Sequence, residues 1–249
     1  MLRPPETDKL AASLKAKYID ACPKCRQTGK LIKPVPGAPW DYTTEPCECA
    51  KTVRYKLGLR RARIPREFVE VLDVMPERNM DRFAVVQQYV KDLRAHFDEG
   101  DGFLFYGLNG AGKTMFSCYI LANAIRAGYS AIYMTAKEYA AACGQARSDW
   151  QFRAWFQEII LSSFLVLDEL GKEYRSGNEY SLAELDDLLR TRRGAKLPTV
   201  ICTNMSLHEF RDGYGASFFS LTKGSLEHLA FEASTDFRDV IKGRKNAKV

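Results

Sequence analysis

Long apolar runs are absent from this sequence of 249 residues. No segment approaches the ~20 consecutive apolar residues that a membrane-spanning helix needs, and no apolar core of a signal peptide follows the first residues. Internal repeats and low-complexity segments are absent as well, and the formal net charge of +6 is modest. We therefore expect a cytoplasmic protein with no membrane contact, whose charge permits binding to nucleic acid without requiring it.

The sequence has seven cysteines, but in a cytoplasmic chain of this length they do not indicate a disulfide framework. Four of them lie in the first 60 residues, together with a helix-like segment over 8–18 and a proline-rich, loop-like stretch over 34–46. Hydrophobic residues form 46% of the chain, which is enough for a sizeable core. We predict two domains, residues 1–60 and residues 61–249.

From about residue 60 onward, short apolar segments alternate with amphipathic helical patterns. The predicted helices are 80–98, 114–127, 137–160 and one that begins at a capping-box sequence at Ser181 and ends at Gly194. The predicted strands are 103–106, 131–134, 164–167 and 199–203. This alternation predicts an α/β fold in which helices cover a parallel β-sheet.

The segment Gly107–Thr114 fits the phosphate-loop pattern G-x-x-x-x-G-K-[ST]. An apolar strand precedes it and a helix follows it, as that motif requires. We expect Lys113 to contact the β and γ phosphates of ATP, and the Thr114 hydroxyl to bind Mg²⁺. The predicted nucleotide-binding residues of the loop are Gly107, Asn109, Gly110, Ala111, Gly112, Lys113 and Thr114.

Polar residues follow the third and fourth predicted strands. Asp168 and Glu169 come directly after one strand, and Asn204 follows the other. Because the carboxyl ends of parallel strands share an edge of the sheet with the phosphate loop, we expect Asp168 to hold Mg²⁺ and Glu169 to act as general base toward the attacking water. Asn204 would orient that water, although an asparagine that only forms a turn gives the same pattern.

The order of these parts resembles the branch of AAA+ ATPases that contains the DnaC/DnaI helicase loaders and the IstB transposition helpers. The resemblance covers about residues 60–240, and its more particular segments are Leu167-Asp168-Glu169-Leu170-Gly171 and Thr203-Asn204-Met205-Ser206-Leu207. It implies an AAA+ P-loop ATPase that uses ATP and Mg²⁺.

The same resemblance implies roles for residues outside the phosphate loop. Asn204 would be a sensor-1 residue, and Arg238 a sensor-2 arginine that takes part in catalysis. Ile64–Phe68 would line the adenine pocket. The alternatives are a surface arginine for Arg238 and ordinary packing for Ile64–Phe68.

One departure from the family concerns the arginine finger that completes a neighbour's ATP site in this branch. Family members carry it in a Ser-Arg-Leu-like segment, whereas this sequence has Phe-Ser-Leu-Thr at 219–222. No arginine lies between Arg211 and Arg238. Either hydrolysis by the protein alone is weak, or another cation substitutes; the candidates are Arg211, Lys223, Arg192 and Arg193.

The first four cysteines form a C-x-x-C pair, Cys22 and Cys25, and a C-x-C pair, Cys47 and Cys49. Two such pairs can supply four thiolates to one structural Zn²⁺. The alternatives are a redox pair, for which the surrounding βαβ pattern is missing, and unligated thiols. The segment 22–29 also resembles the zinc-binding domain through which DnaI-type loaders contact a helicase. The remaining cysteines are predicted to be small core residues: Cys118, Cys143 and Cys202.

The segment 137–155 is a candidate surface for single-stranded DNA. In the initiator and loader clade an extra helix in this region contacts DNA, and cations with nearby aromatic rings suit that purpose. The candidate residues are Lys137, Gln145, Arg147, Trp150, Arg153 and Trp155. The alternative is that the two tryptophans belong to the core and Arg147 is a solvated charge.

These observations favour an ATP-dependent loader that delivers a ring helicase to single-stranded DNA, acting as a homo-oligomer or in co-assembly with the helicase. The second hypothesis is an IstB-like ATPase that assists a transposase on duplex DNA. A small-molecule kinase is disfavoured, because Glu169 after Asp168 and Asn204 after the next strand fit hydrolysis better.

Overall fold

The computed structural model describes residues 7–70, 72, 80–171 and 179–232. The chain divides into two compact units, one formed by residues 4–61 and the other by residues 62–249 together with 1–3. Among the described helices, none has both the length and the apolar character needed to cross a bilayer. The zinc-binding and helicase-contacting roles predicted for the first domain stay predictions.

The amino-terminal unit is built around a β-hairpin between helices. Its elements are α1 (Asp8–Leu14), which continues as a π-helical turn (Lys15–Ile19), β1 (Lys30–Val35), β2 (Ala38–Pro46) and α2 (Glu48–Arg61). The prediction of a loop over 34–46 is therefore wrong. Pro34 and Pro46 are tolerated because both strands of a two-stranded sheet are edge strands.

The larger unit contains a parallel sheet, as predicted, but in the described residues it has five strands rather than the four expected. Its strands are β3 (Gly102–Gly107), β4 (Ala131–Thr135), β5 (Phe164–Leu170), β6 (Thr199–Thr203) and β7 (Leu226–Phe231), in the order β4-β5-β6-β3-β7. The edge strand β7 was not predicted, because Glu227 and His228 interrupt its apolar pattern. Its partial exposure explains why such a sequence is tolerated there.

Helices cover this sheet, and the described ones are α3 (Arg66–Val69), α4 (Met80–Lys91), α5 (Leu93–Glu99), α6 (Lys113–Arg126), α7 (Ala136–Ser148), α8 (Trp150–Ile160), α9 (Glu179–Gly194) and α10 (Leu207–Lys223). The predicted cysteine core residues are buried: Cys118, Cys143 and Cys202. The parallel sheet and the helices that cover it confirm the predicted α/β fold.

Three of the predicted helices differ from the structure: two are interrupted, and one begins earlier than expected. The helix over 80–98 breaks at Asp92, whose backbone leaves the helical conformation. The helix over 137–160 breaks at Asp149, whose carboxylate accepts hydrogen bonds from the N–H groups of Gln151 and Phe152 and so caps α8. Ser181 is not an N-cap, because α9 begins two residues earlier.

Arg192 on α9 is a buried charge within this unit, with no exposed surface. Its guanidinium donates to the carbonyl oxygens of Ile160 (2.6 Å), Ser162 (2.9 Å) and Pro198 (2.7 Å), and to the Thr199 hydroxyl (2.8 Å). Burial lowers the pKa of Arg192 to about 9, so the group stays charged at neutral pH. These bonds connect the end of α8 to the start of β6.

Candidate nucleotide site and metal centre

The phosphate loop connects the end of β3 to the start of α6 through backbone that only glycine adopts readily. Gly107, Gly110 and Gly112 have φ values of 112°, 76° and 98°. A Cβ atom on Gly107 would lie 2.5 Å from the carbonyl oxygen of Phe231. The N–H of Leu108 donates to that same oxygen at 3.0 Å. The unpredicted strand β7 therefore supports the phosphate loop from one side.

Lys113 is the first residue of α6 and is largely buried. Its ammonium group donates to the carbonyl oxygens of Gly107 (2.8 Å) and Leu108 (2.7 Å), which holds it over the loop. The amino terminus of α6 adds its unpaired N–H groups and the positive end of its dipole to the same place. The loop thus concentrates positive charge and N–H donors, as the binding of polyphosphate requires.

Asp168, near the end of β5, is 4% exposed and lies beside the phosphate loop. One carboxylate oxygen accepts hydrogen bonds from the Thr114 hydroxyl (2.8 Å) and the Tyr133 hydroxyl (2.7 Å). The structure therefore brings together the two residues predicted to bind Mg²⁺, Thr114 and Asp168. Oxygen donors of this kind are the ligands that Mg²⁺ prefers.

Tyr133 is a site residue that the sequence analysis missed. Burial, together with the charge of Asp168, raises the pKa of the Tyr133 hydroxyl, so this group stays protonated and donates to the carboxylate. Its position inside strand β4 looks like that of any apolar core residue, and no local pattern in the sequence indicates the contact.

Glu169 has a left-handed backbone conformation, with φ of 60°. It lies where the pairing of β5 with β6 becomes irregular, between Leu167 and Leu170. Such a conformation costs a non-glycine residue ~1–3 kcal/mol and concentrates at functional sites. Its N–H donates to the Asp168 carboxylate at 2.7 Å, which stabilises the strained turn. Because of this irregularity in the strand pairing, the side chain of Glu169, the proposed general base, leaves the strand in a direction that a regular strand would not give it.

Asn204 is exposed and follows β6, which lies between β5 and β3 in the sheet. The carboxyl ends of these parallel strands form one edge, so Asn204 stands between the acidic pair and the phosphate loop. The Thr203 hydroxyl donates to the Leu170 carbonyl at 2.7 Å and holds the two strand ends together. Gly171 has a φ of 105°, and a Cβ there would lie 2.8 Å from the Met205 sulfur. The two segments characteristic of this ATPase branch thus pack against each other. Arg238 lies outside the described residues.

The cations proposed to replace the arginine finger lie in different places. Arg192 is excluded, because its guanidinium is buried and fully engaged within its own unit. Arg193 and Lys223 line a cavity of about 540 Å³ at the amino ends of β3 and β7. Since β3 has six residues and spans ~20 Å, neither can reach a nucleotide on its own chain's phosphate loop. Arg211 is exposed on α10.

The four amino-terminal cysteines converge, and all their sulfur atoms lie within 4.8 Å of one another. The Sγ atoms of Cys22 and Cys47 are 3.9 Å apart, and those of Cys25 and Cys49 are 3.5 Å apart. A tetrahedral zinc ion with Zn–S bonds of about 2.3 Å requires S···S distances of ~3.8 Å. The cluster therefore fits the predicted zinc ion, and no fourth position would stay open for catalysis.

The thiols of this cluster do not ionise equally. A hydrogen bond from the Cys25 backbone lowers the pKa of Cys22 to about 7, whereas burial and the neighbouring thiols raise the pKa of Cys49 to about 12. Four thiolates this close repel one another, so a bound cation is needed to hold them all deprotonated. The Gly29 N–H, which donates to the Cys25 sulfur at 3.2 Å, supports such a ligand.

The candidate DNA segment 137–155 forms α7 and the start of α8. Trp150 is 75% exposed. Trp155 packs against the hydrophobic core, as the alternative prediction for the tryptophans expected. Arg147 pairs with Glu184, and Arg153 donates to the carbonyl oxygen of Ala146 at 2.9 Å. Trp150 is thus the one tryptophan of this segment that presents its ring to solvent.

Comparison with known families shows which family this chain belongs to. Residues 51–234 match the family described as IstB-like ATP binding protein, and this range is most of the chain. The chain belongs to the IstB-like ATP-binding family. This assignment and the fold confirm the prediction of an AAA+ ATPase that binds ATP. No curated protein matches the sequence.

Solved structures share the fold of this IstB-like chain. The DnaC helicase loader superposes with a TM-score of 0.61 at 20% identity, covering 68% of this chain and 100% of that one. DnaI gives 0.52 at 17% identity, over 68% and 92%. The replication initiator DnaA, bound to AMPPCP and single-stranded DNA, gives 0.58 at 19% identity. This match covers 74% of the IstB-like chain but only 56% of DnaA. At these identities the likeness concerns the fold.

Proposed function

We propose that this protein is an ATP-dependent helicase loader in DNA replication, which binds ATP and Mg²⁺, holds single-stranded DNA and delivers a ring helicase. The observation that carries the proposal is the four-cysteine cluster. It precedes residue 51, where the match to the IstB-like family begins, so four possible metal ligands lie outside the matched range. The likeness in fold to the solved chain of the DnaC helicase loader, all of which is covered, supports the same function.

The residues at the carboxyl edge of the sheet are proposed to divide the work of hydrolysis. Lys113 would contact the β and γ phosphates, and Thr114 and Asp168 would hold Mg²⁺, which neutralises phosphate charge. Glu169 would take a proton from the attacking water, and Asn204 would orient that water. Arg238 is proposed to contact the nucleotide as well. The backbone N–H groups of the loop would bind the phosphates; its contributing residues are Gly107, Asn109, Gly110, Ala111 and Gly112.

The positions of the cations support assembly as part of this function. Arg193 and Lys223 lie at the sheet end remote from their own phosphate loop. If either one stabilises transition-state charge, it does so for ATP bound to another subunit or to a partner. We therefore propose that the protein acts as a homo-oligomer or in co-assembly with the helicase, and that hydrolysis by the isolated chain is slow.

A second candidate function is that of an ATPase assisting a transposase on duplex DNA. The match to the IstB-like family favours it, and the AAA+ unit is compatible with either role. We prefer the helicase loader to the transposition helper because of the cysteine cluster.

Steady-state ATP hydrolysis, measured with no DNA, with single strands and with duplex, distinguishes the two functions. We expect single-stranded DNA to raise the rate at least about tenfold, equivalent to ~1.4 kcal/mol of activation free energy. Duplex of the same sequence and length serves as the control and is expected to have little effect. Stimulation by duplex alone would reject the loader in favour of the transposition helper.

A further inference from the structure

The β1–β2 hairpin presents large hydrophobic side chains to solvent. Ile32 is 72% exposed, Trp40 is 89% exposed and Tyr42 is 65% exposed. The described part of the chain holds three other exposed hydrophobic residues of this size, and all lie in the ATPase unit: Leu108, Trp150 and Leu161. The hairpin therefore concentrates exposed aromatic surface that the ATPase site does not use.

The strand register assigns these side chains to faces of the hairpin. Ile32 pairs with Thr44, and Pro34 pairs with Tyr42; directly opposed residues of antiparallel strands project on the same side. Ile32 and Tyr42 therefore share one face, which we call the aromatic face. Because Val35 pairs with Ala38, residues 39–41 form a bulge, and Trp40 lies at its centre.

Charge is distributed unequally between the two hairpin faces. Lys33 and Glu45 lie on the other face, where their charged groups pair at 2.5 Å. Lys30 lies on the aromatic face, because it is two residues from Ile32 in the same strand and alternate residues of a strand project to the same side. The one carboxylate of the hairpin besides Glu45 is Asp41 in the bulge. The aromatic face thus carries the Tyr42 ring and, four pairs along the hairpin, the exposed cation Lys30, while the Trp40 ring lies in the adjoining bulge.

The amino-terminal unit also carries the net charge of the whole protein. Residues 4–61 contain twelve lysines and arginines against six acidic residues, a net charge of +6. The rest of the chain holds 25 of each sign and is neutral overall. A zinc ion bound by four thiolates would leave the unit positive. The electric field of this positive unit therefore attracts polyanions. A face that docks a neutral or basic protein would not need such a charge.

We propose that the aromatic face of this hairpin, together with the adjoining bulge, binds single-stranded nucleic acid, with Tyr42 of the face and Trp40 of the bulge stacking on bases and Lys30 contacting phosphate. Exposed rings next to cations bind single strands with little sequence preference, because every base offers a π-face. A duplex hides its bases and is bound more weakly. This surface is separate from the proposed function, which assigns DNA to the ATPase unit and the helicase to the amino-terminal unit.

The test uses the zinc-loaded full chain and a fluorescein-labelled 20-nucleotide oligo(dT), with binding followed by anisotropy in the absence of ATP. The double variant Trp40→Ala/Tyr42→Ala is expected to bind at least about tenfold more weakly than the wild type. The matched control is Thr43→Ala, which alters the opposite face of the same strand and is expected to bind as the wild type does. Zinc content and ATP affinity must be the same in all three proteins.

Two further measurements report on the contact itself. Stacking on bases quenches indole fluorescence, so oligo(dT) is expected to quench the wild type and to lose most of this effect on Trp40→Phe. Lys30→Gln should lower the slope of log K against log salt concentration by ~0.7, the value for one phosphate contact on a single strand.

Unchanged affinity of the Trp40→Ala/Tyr42→Ala variant would overturn the proposal, as would an affinity loss confined to Trp150→Ala. Absence of oligo(dT) binding by the wild type, combined with loss of ring-helicase binding in the double variant, would make the hairpin a protein-docking face instead. The loader proposal is tested by a different measurement, the stimulation of ATP hydrolysis by single-stranded DNA. Its failure can therefore be told apart from failure of the hairpin proposal, which is tested by oligo(dT) binding without ATP.

Discussion

Replacement of Lys113 by alanine is expected to abolish measurable ATP binding, with affinity at least about 100-fold lower than in the wild type. Each hydrogen bond to a charged group contributes ~1.5–3 kcal/mol, and we expect the ammonium group to make one such bond to each of the β and γ phosphates. The loop itself should keep its shape, because its backbone conformation depends on glycines and on the Phe231 carbonyl oxygen. Isothermal titration with a non-hydrolysable ATP analogue and Mg²⁺ measures the loss.

Lys91→Ala is the matched control for this experiment. Lys91 is an exposed lysine at the end of α4 in the same unit, and its removal changes the net charge equally. Wild-type affinity is expected for this control. Tight ATP binding by Lys113→Ala would contradict the assignment of 107–114 as the phosphate loop.

Replacement of Cys22 by serine is expected to release the zinc and unfold the amino-terminal unit while the ATPase unit stays folded. The described hydrophobic core of the small unit consists of five residues, Leu14, Cys25, Cys47, Val53 and Leu59, two of which are cysteines of the cluster. Structural zinc contributes an apparent ~10–16 kcal/mol to such domains, so a core of this size depends on it. Metal analysis, far-UV circular dichroism and ATP titration together test the prediction.

Cys143→Ala provides the control, because Cys143 is a buried thiol of the ATPase unit and does not belong to the cluster. One equivalent of zinc per chain is expected in this variant and in the wild type. Wild-type protein purified without metal, and unable to take up zinc when reduced, would rule out the metal centre.

Features of the site that depend on neighbouring residues could be predicted from the sequence. The phosphate loop and the Asp168–Glu169 pair were recognisable because strand, turn and helix follow one another along the chain. The cysteine pairs were recognisable by their spacing, and the structure brings their sulfur atoms to distances that suit zinc.

Features that depend on distant residues could not be predicted. The hydroxyl of Tyr133 reaches Asp168 on the adjacent strand, and the Phe231 carbonyl oxygen supports the phosphate loop at Leu108, 123 positions earlier in the chain. Arg192 looks like a surface cation in the sequence, yet its buried guanidinium is stabilised by four oxygen atoms from two segments, 160–162 and 198–199. The prolines of the hairpin suggested a loop, and only edge pairing makes them compatible with strands.

Single-turnover ATP hydrolysis by Glu169→Gln, with single-stranded DNA present, tests most directly whether this edge of the sheet performs the chemistry. We predict a rate ~10²–10⁴-fold below that of the wild type, the usual contribution of a general base, with unchanged ATP affinity. Glu158→Gln, at an exposed position on α8, should hydrolyse ATP at the wild-type rate. Hydrolysis by Glu169→Gln at the wild-type rate would contradict the proposed mechanism.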